Sequence, residues 1–259
     1  MRGLLDKIGA AKELATQAKH ALRPFEPYLP KRAVAPAPER TFKVLDRYGF
    51  RPETVFDIGV GFGTYWLYHA YPEAFYYLVD PTPESLPHMQ KIARRLQGEI
   101  LNLALGDRDG DALLEVRSDI QGSTLFEECG PRGVLRRETI PLRRFDTAIG
   151  TFARPALCKI DVQGAEMMVL KGMGARISEI DVFIVETSMI ATVKNGPELH
   201  ELVHFMKEHG LVVFDVIGLK RRPLDGAAAQ VDMVFVAERS TMRADRRWNG
   251  PGSDEPATR

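Results

Sequence analysis

The chain has little of what several common classes of protein require. Its 259 residues contain two cysteines, Cys129 and Cys158, which excludes a disulfide-based scaffold and fits a reducing, cytoplasmic location. It has no C-x-x-C or H-E-x-x-H motif, so a structural zinc site is not expected. No run of the sequence approaches the roughly 18 apolar residues of a membrane span. A formal net charge of zero gives no overall field that favours nucleic acid.

Two terminal regions differ from the central part of the sequence. Residues 4–22 carry apolar side chains at helical spacing and a basic opposite face, which predicts an amphipathic helix followed by a proline-rich linker. This helix is expected to pack on its own domain and is the candidate contact for a homo-oligomer; a membrane surface or another partner is the alternative. The expected organisation is a helix and linker (1–49), one domain (50–239) and a disordered tail (240–259).

The segment TVFDIGVGFGT, residues 54–64, organises the rest of the chain. A buried strand ends at Asp57-Ile58, a glycine turn follows, and a helix pattern comes next, which is the opening unit of nucleotide-binding α/β folds. The turn glycines allow a ligand to approach the backbone closely: Gly59, Gly61 and Gly63. A dinucleotide loop needs glycine where this chain has Thr64. The loop suits a ligand with an amino-acid head group and no pyrophosphate, such as S-adenosylmethionine, unless it is a turn that binds nothing.

Strand and helix patterns alternate along the central region. Four strand-and-helix units end in two strands joined by a short loop, which predicts an α/β fold with a mostly parallel sheet covered on both faces. The closing pair predicts one antiparallel strand at the end. The predicted strands include residues 99–105, 156–160 and 181–188, and residues 133–146 are predicted to form another strand with a turn.

Two carboxylates stand at predicted strand ends, where ligands bind in sheets of this kind. Asp80 ends the second strand, where a carboxylate can accept both hydroxyls of a ribose; a turn aspartate is the alternative. Residues 102–106 are expected where an adenine would rest. Asp161 ends the fourth strand and is the preferred base or acceptor-binding group, and it could also cap the following helix.

These motifs resemble the FkbM family of S-adenosylmethionine-dependent methyltransferases over about residues 50–238. The resemblance also includes NLALGDRDGD (102–111), KIDVQGAEMMVLKG (159–172) and VDMVFV (231–236). It implies a Rossmann-like class I methyltransferase fold with a seven-stranded sheet whose last strand is antiparallel. It further implies that S-adenosyl-L-methionine is the cofactor and that the acceptor is a hydroxyl group on a sugar- or polyketide-type small molecule.

The same resemblance implies roles for individual residues. The residues implied for the cofactor are Asp57, Gly59, Gly61 and Gly63 at the methionine end, Asp80 at the ribose, and Asn102 and Ala104 at the adenine. Asp161 would be catalytic and face the methyl group, while Glu166 and Glu186 would bind substrate at the same rim. A structural role for Glu166 at the start of the following helix, where a negative charge is favoured, is the alternative. Many family members have Glu where this chain has Gln163, so Gln163 receives no catalytic role. A metal shared by the carboxylates is not expected.

Two other classes of protein stay open from the sequence. One is a catalytically silent cofactor-binding or interaction protein, which Gln163 favours weakly and the intact glycine loop disfavours. The other is an NAD-dependent oxidoreductase, which Thr64 disfavours. The acceptor is not identified, because its choice is expected in the loops 118–155 and 218–230. An arginine cluster there is either a solvated face or the border of an anionic or sugar substrate: Arg132, Arg136, Arg137, Arg143 and Arg144.

Overall fold

The computed structural model describes residues 38–130 and 133–248. The predicted N-terminal helix, most of the proline-rich linker, Arg132 and the end of the tail lie outside these residues. The helices span Pro38–Arg47 (α1), Tyr65–Ala70 (α2), Leu86–Ala93 (α3), Phe145–Ala148 (α4), Glu166–Met173 (α5) and Leu199–Glu208 (α6). The strands span Thr54–Ile58 (β1), Phe75–Val79 (β2), Gly98–Leu101 (β3), Ala104–Gly106 (β4), Gly110–Arg117 (β5), Val134–Arg144 (β6), Ala156–Ile160 (β7), Val182–Ser188 (β8), Leu211–Arg221 (β9) and Ala228–Ala237 (β10).

The main sheet has seven strands in the order β3-β2-β1-β7-β8-β10-β9. Neighbouring strands from β3 to β8 are parallel, and β10 is antiparallel to both β8 and β9. The predicted fold, a mostly parallel seven-stranded sheet whose last strand is antiparallel, is therefore confirmed. The strand order reverses between β1 and β7, so their carboxyl ends border the crevice in which such sheets bind ligands.

Apolar cores cover both faces of this sheet, which explains why its central strands are apolar throughout. Every residue of β1 and β7 is buried. Because successive side chains of a strand point to opposite faces, Val55 packs with α1, α2 and α3, whereas Phe56 packs with α4, α5 and α6. The two layers fix the position of the strand ends that carry the candidate site.

Helix α1 extends the domain beyond its predicted start at residue 50. Phe42 and Leu45 are buried on one face of this helix, and the Phe42 ring meets the edge of Tyr71 at 5.3 Å between centroids. The described part of the tail also has structure where disorder was predicted. Residues Thr241–Arg243 form a short 3₁₀ turn, and Met242 packs against the core that contains α1. Apolar contacts with the domain order both segments.

The strand predicted at residues 99–105 is two strands in two different sheets. β3 pairs with β2 in the main sheet, whereas β4 joins a small sheet of order β4-β6-β5. The chain leaves the main sheet at Asn102, whose side-chain Nδ2 donates to the backbone oxygen of Asp80 at 2.8 Å. The turn predicted within residues 133–146 is also wrong, because β6 runs unbroken as the central strand of the small sheet. The connection between β5 and β6 lies over the crevice.

We expect Gly172→Ala to lower the free energy of unfolding by about 1–3 kcal/mol, since an added Cβ would overpack the contact between α5 and β4. That Cβ would lie 1.9 Å from the backbone oxygen of Gly106. The matched control is Gly150→Ala, where nothing lies within 4 Å of the added Cβ. Urea unfolding of both variants measures the difference, and equal stability would contradict the close packing of α5 on the small sheet.

Candidate active site

A cavity of about 250 Å³ opens at the carboxyl ends of β1, β2 and β7. Gly59 and Gly61 belong to its wall. The other wall residues are 79–82 at the end of β2, 103–105 at the start of β4, and 161–163 directly after β7. Residues 119–125 of the connection between β5 and β6 cover it, and we call this segment the lid. The cavity therefore lies at the switch point of the sheet, where the strand order predicts a ligand site.

The glycine loop keeps the floor of the cavity free of side chains. Gly59 has φ +85°, and a Cβ there would lie 1.8 Å from the backbone oxygen of Asp161. Gly61 has φ +52°, and its N–H donates to Asp80 Oδ2 at 2.8 Å. Gly63 does not line the cavity; a Cβ there would lie 3.1 Å from two neighbouring side chains. Two of the three predicted glycines thus face the cavity, and the third serves packing.

Asp57 lies beneath the glycine loop and not on the cavity wall. Its side chain is fully buried. The Thr64 hydroxyl donates to Asp57 Oδ1 at 3.0 Å, and the Tyr68 hydroxyl donates to Oδ2. Burial raises the pKa of the Asp57 carboxyl, although Lys159 and the two hydroxyls oppose this shift. Asp57 therefore fixes the glycine loop to the start of α2, and it lies beneath that loop rather than on the cavity wall where the predicted cofactor contact would place it.

Asp80 lines the cavity, but most of its acceptor capacity is used within the protein. Its Oδ1 accepts hydrogen bonds from the Thr82 N–H, the Thr82 hydroxyl and the Ser85 hydroxyl at 2.9, 2.6 and 2.7 Å. Its Oδ2 accepts from the Gly61 N–H. Two carboxylate oxygens offer about four acceptor positions, so Oδ1 is saturated and Oδ2 has room for one more donor. Asp80 therefore makes the internal hydrogen bonds of a turn aspartate, which was the alternative to a ribose contact. It keeps the capacity to accept from one ribose hydroxyl, but not from two.

The predicted adenine residues separate in the structure. Ala104 lines the cavity between Leu103 and Leu105, and Leu114 and Leu125 add apolar surface nearby. This part of the wall suits a flat aromatic ring. Asn102 is exposed and lies outside the lining, where its side chain holds the Asp80 backbone. Asn102 therefore shapes the wall without facing the cavity.

Asp161 is a carboxylate on the cavity wall that the protein keeps ionised. Its Oδ1 accepts a hydrogen bond from Gln163 Nε2 at 2.7 Å, and its Oδ2 lies 3.4 Å from Lys159 Nζ. Lys159 is buried and lies 3.6 Å from Asp57 Oδ1 as well. Burial alone raises the pKa of Asp161, but Lys159, Lys220 and Gln163 outweigh it and hold the pKa below its ordinary value. The expected catalytic position of Asp161 is compatible with this geometry.

Glu186 lies near the carboxyl end of β8, two residues before the strand ends, and does not line the cavity. Only 3% of its surface is exposed. Gln163 and Gln230 donate to its Oε2 at 2.9 and 2.7 Å, and Lys220 pairs with its Oε1. Burial raises the pKa of Glu186, and the nearby charge of Asp161 adds to this shift. The predicted substrate contact of Glu186 is therefore replaced by a buried hydrogen-bond network.

Glu166 likewise faces the backbone and not the cavity. It is buried at the first position of α5, where Oε1 accepts from the Val162 N–H at 3.0 Å and Oε2 from the Gly164 N–H at 3.0 Å. Burial raises the pKa of Glu166 to about 7. The side chain holds the turn that presents Asp161 and Gln163, as the alternative structural role at the helix start predicts, and it does not line the cavity as the predicted substrate contact requires.

Three contributors to the site were missed by sequence reasoning. Gln163 lies on the wall and joins two carboxylates, although it carries no charge that marks it. Lys220 reaches the cavity from β9. The Thr124 hydroxyl of the lid donates to the Gln163 backbone oxygen at 2.7 Å. Lys220 and the lid fall within the loops 218–230 and 118–155, where the choice of acceptor was expected, but no residue of the lid and no role for Lys220 was predicted.

Four members of the arginine cluster lie in the described residues, and none of these four lines the cavity. All four bind acidic side chains or backbone oxygens nearby. Arg136 pairs with Glu84 and Glu138, Arg137 with Glu115, and Arg144 with Asp146, while Arg143 donates to the backbone oxygens of Gly110 and Leu142. These pairs favour a structural role over an anion-binding one.

Residues 38–130 and 133–248 were also compared with the geometry of a metal site and of a membrane-spanning helix. No group of three or more His, Cys, Asp or Glu in this part of the chain is arranged to hold a metal ion. No helix in the same part is long and apolar enough to cross a membrane. Cys158 is buried in the core and Cys129 is exposed, and neither forms a disulfide.

The strand order and the cavity at its switch point define a Rossmann-like methyltransferase fold. Residues 57–213, more than half of the chain, match the model of the methyltransferase FkbM domain. The chain belongs to the FkbM methyltransferase family, and the family resemblance seen in the sequence is confirmed. A search among curated proteins finds no match.

Solved structures give more distant likenesses. The magnesium protoporphyrin IX methyltransferase of Synechocystis, determined with bound SAM, is 12% identical, with 77% of each chain covered and a TM-score of 0.45. The 1,6-didemethyltoxoflavin-N1-methyltransferase of Burkholderia thailandensis, with bound S-adenosylhomocysteine, is 15% identical over 88% of each chain at a TM-score of 0.39. TYW2 of M. jannaschii, in complex with AdoMet, is 11% identical. The match covers 80% of this chain and 79% of that chain, with a TM-score of 0.37. Scores this low carry no functional argument.

We expect the stability of the protein to depend on pH through Glu166. Because burial raises its folded pKa to about 7, the folded state binds the proton more tightly than the unfolded chain. The resulting stabilisation is complete below the ordinary value of 4.5 and is lost as the pH rises through about 7. For one proton the free energy of unfolding falls by up to about 1.4 kcal/mol per pH unit.

Glu166→Gln removes this titration, so its free energy of unfolding falls less than that of the wild type between pH 5 and 8. Urea unfolding at several pH values measures both slopes. Glu208→Gln, on an exposed side chain, is the control and keeps the wild-type slope. Parallel curves for Glu166→Gln and the wild type would contradict the buried, proton-retaining carboxyl.

Proposed function

We propose that this protein is an S-adenosyl-L-methionine-dependent O-methyltransferase that methylates a hydroxyl group on a sugar- or polyketide-type small molecule. Its membership of the FkbM methyltransferase family supports methyl transfer and this cofactor. The observation that carries the proposal is the ionised Asp161 on the cavity wall, directly beside the glycine loop. A carboxylate in this place can orient a hydroxyl group and receive its proton.

The charge of the cavity supports a cationic cofactor. Three aspartates line it, Asp80, Asp119 and Asp161, against one lysine, Lys220. An excess of negative charge attracts a ligand with sulfonium and ammonium groups and repels a pyrophosphate. The same observation disfavours a nicotinamide dinucleotide, in agreement with the missing third glycine at Thr64.

The cavity also offers places for each part of the cofactor. Gly59 and Gly61 leave the floor open for close approach to the backbone, which a Cβ at Gly59 would close. Asp80 Oδ2 keeps one acceptor position for a ribose hydroxyl. The apolar wall around Ala104 suits the adenine ring. When bound, S-adenosylmethionine supplies a methyl group that its sulfonium activates for displacement.

The residues of this chain have three tasks in the transfer. Asp161 would accept a hydrogen bond from the acceptor hydroxyl and take its proton when the methyl group passes from the sulfonium sulfur to the oxygen, with S-adenosylhomocysteine as the leaving group. Gln163 and Lys159 hold the two oxygens of Asp161 in place, which aligns the acceptor for in-line attack. The lid covers the cavity and excludes competing water, because Thr124 fastens it to the backbone at Gln163.

The neutral polar surface near Asp161 favours a hydroxyl-rich acceptor. Gln121, Ser123 and Thr124 of the lid line the cavity together with Gln163 after β7. Amide and hydroxyl groups of this kind can donate to or accept from several hydroxyls of one molecule. Apolar wall remains at Ile120 and Leu125 for a carbon skeleton. Sugar- and polyketide-type molecules combine these two properties.

We expect Asp161→Asn to lower the rate of methyl transfer by about 10²–10⁴-fold, because the amide cannot accept the hydroxyl proton. The assay follows tritiated methyl groups from S-adenosylmethionine to a panel of methyl glycosides and hydroxylated lactones. Asp225→Asn is the matched control, since Asp225 is exposed and pairs with Arg222. Calorimetry with S-adenosylhomocysteine shows that the cofactor site of Asp161→Asn is intact.

Two results would contradict the O-methylation proposal. One is wild-type transfer by Asp161→Asn, which would remove its assigned role as the proton acceptor. The other is a methyl group found on nitrogen or carbon of the product, which mass spectrometry of the labelled product distinguishes from a methyl ether. A protein that binds the cofactor and transfers nothing to any hydroxyl compound would support the catalytically silent alternative.

A further inference from the structure

We infer that Gln163 is a positioning residue, which fixes the orientation and charge of Asp161 by tying it to Glu186 through a single amide group. This inference rests on the proposed role of Asp161 in methyl transfer. Gln163 Nε2 donates to Asp161 Oδ1 at 2.7 Å and to Glu186 Oε2 at 2.9 Å. A primary amide nitrogen has two N–H donors, so each carboxylate receives one of them.

The backbone holds Gln163 in a conformation that few side chains adopt. Its φ is +53°, in the left-handed region where residues other than glycine are uncommon. Such conformations persist where surrounding contacts enforce them, and they cluster at functional sites. Here the Thr124 hydroxyl donates to the Gln163 backbone oxygen, and Glu166 accepts from the N–H groups of Val162 and Gly164. The direction of the Gln163 side chain is thus fixed by contacts with the lid on one side and with the start of α5 on the other.

Ionisable groups from several elements surround Asp161. They are Lys159 on β7, Asp57 on β1, Glu186 on β8, Lys220 on β9, Asp232 on β10 and Glu166 on α5. Two ammonium groups therefore face a larger number of carboxylates, and the carboxylates cannot all be ionised at low cost in a buried site. Which of them keeps the charge depends on the hydrogen bonds that each receives.

Asp161 keeps its charge within this cluster, and the Gln163 amide is one of the groups that hold it. Asp161 receives the Gln163 amide on one oxygen and approaches Lys159 with the other. Glu186 is more deeply buried, and burial raises its pKa, whereas Lys159, Lys220 and Gln163 hold the pKa of Asp161 low. Gln163 stabilises both carboxylates without adding a charge of its own, which a glutamate at this position would do.

The chain provides a matched control for this bridge. Gln230 Nε2 also donates to Glu186 Oε2, at 2.7 Å, but does not hydrogen-bond to Asp161. Gln163→Leu and Gln230→Leu therefore each remove one amide from Glu186, and only the first removes an amide from Asp161. If the pKa of Asp161 changes only because Glu186 is held less firmly, it changes in both variants. If it changes because the Gln163 bridge is lost, it changes only in Gln163→Leu.

The test is a carboxyl ¹³C NMR titration of the full-length protein, labelled at Asp and Glu, between pH 4 and 9. Asp161→Asn identifies the Asp161 signal. We expect Asp161 to stay ionised over this range in the wild type and in Gln230→Leu. In Gln163→Leu its midpoint rises by at least about one pH unit and enters the range, since one hydrogen bond to the charged form is lost.

A second variant keeps the inference testable if Gln163→Leu does not fold. Gln163→Glu has nearly the same shape and adds a carboxylate, so the midpoint of Asp161 rises further than in Gln163→Leu. An Asp161 signal that stays ionised in either variant overturns the inference, as does an equal shift in Gln230→Leu. Titration of the same wild-type sample with S-adenosylhomocysteine tests the proposed function separately. If the ligand does not bind, the proposed function fails while the carboxyl measurement still stands.

Discussion

The close contact between the ends of β1 and β7 is the constraint on which the site depends. Asp161 N–H donates to the Ile58 backbone oxygen at 3.0 Å, and the Asp161 oxygen lies so near Gly59 that a Cβ there would approach it to 1.8 Å. Only glycine permits this contact at φ +85°. It brings the loop assigned to the cofactor and the carboxylate assigned to the acceptor into one cavity.

A buried polar network then stabilises this junction. Lys159 lies between Asp57, which anchors the glycine loop, and Asp161, which faces the cavity. Gln163 continues the network to Glu186. Buried charges are costly unless they are paired and hydrogen-bonded, so each member requires the others. The charge state of Asp161, on the acceptor side of the cavity, therefore depends on Lys159, which also pairs with Asp57 beneath the glycine loop on the cofactor side.

Sequence patterns predicted the sheet and the positions of its strand ends, because apolar strands and glycine turns are local signals. They did not predict the break at Asn102, which depends on a hydrogen bond to Asp80, 22 residues away. They placed Asp161 at the cavity, but the family resemblance implied a substrate contact for Glu186, whose partners Gln163, Lys220 and Gln230 come from other segments. The role of Gln163 was missed for the same reason, since burial and long-range pairing decide what a polar side chain does.

The most direct measurement is calorimetric titration of the wild-type protein with S-adenosylhomocysteine, with NAD as the control ligand. We expect micromolar binding of S-adenosylhomocysteine and no binding of NAD, because the cavity has an excess of negative charge and because Gly59 and Gly61 leave its floor free of side chains. Tight binding of NAD would contradict the assignment of the cavity. Absence of binding by either ligand would contradict the claim that these residues form a cofactor site in the isolated protein.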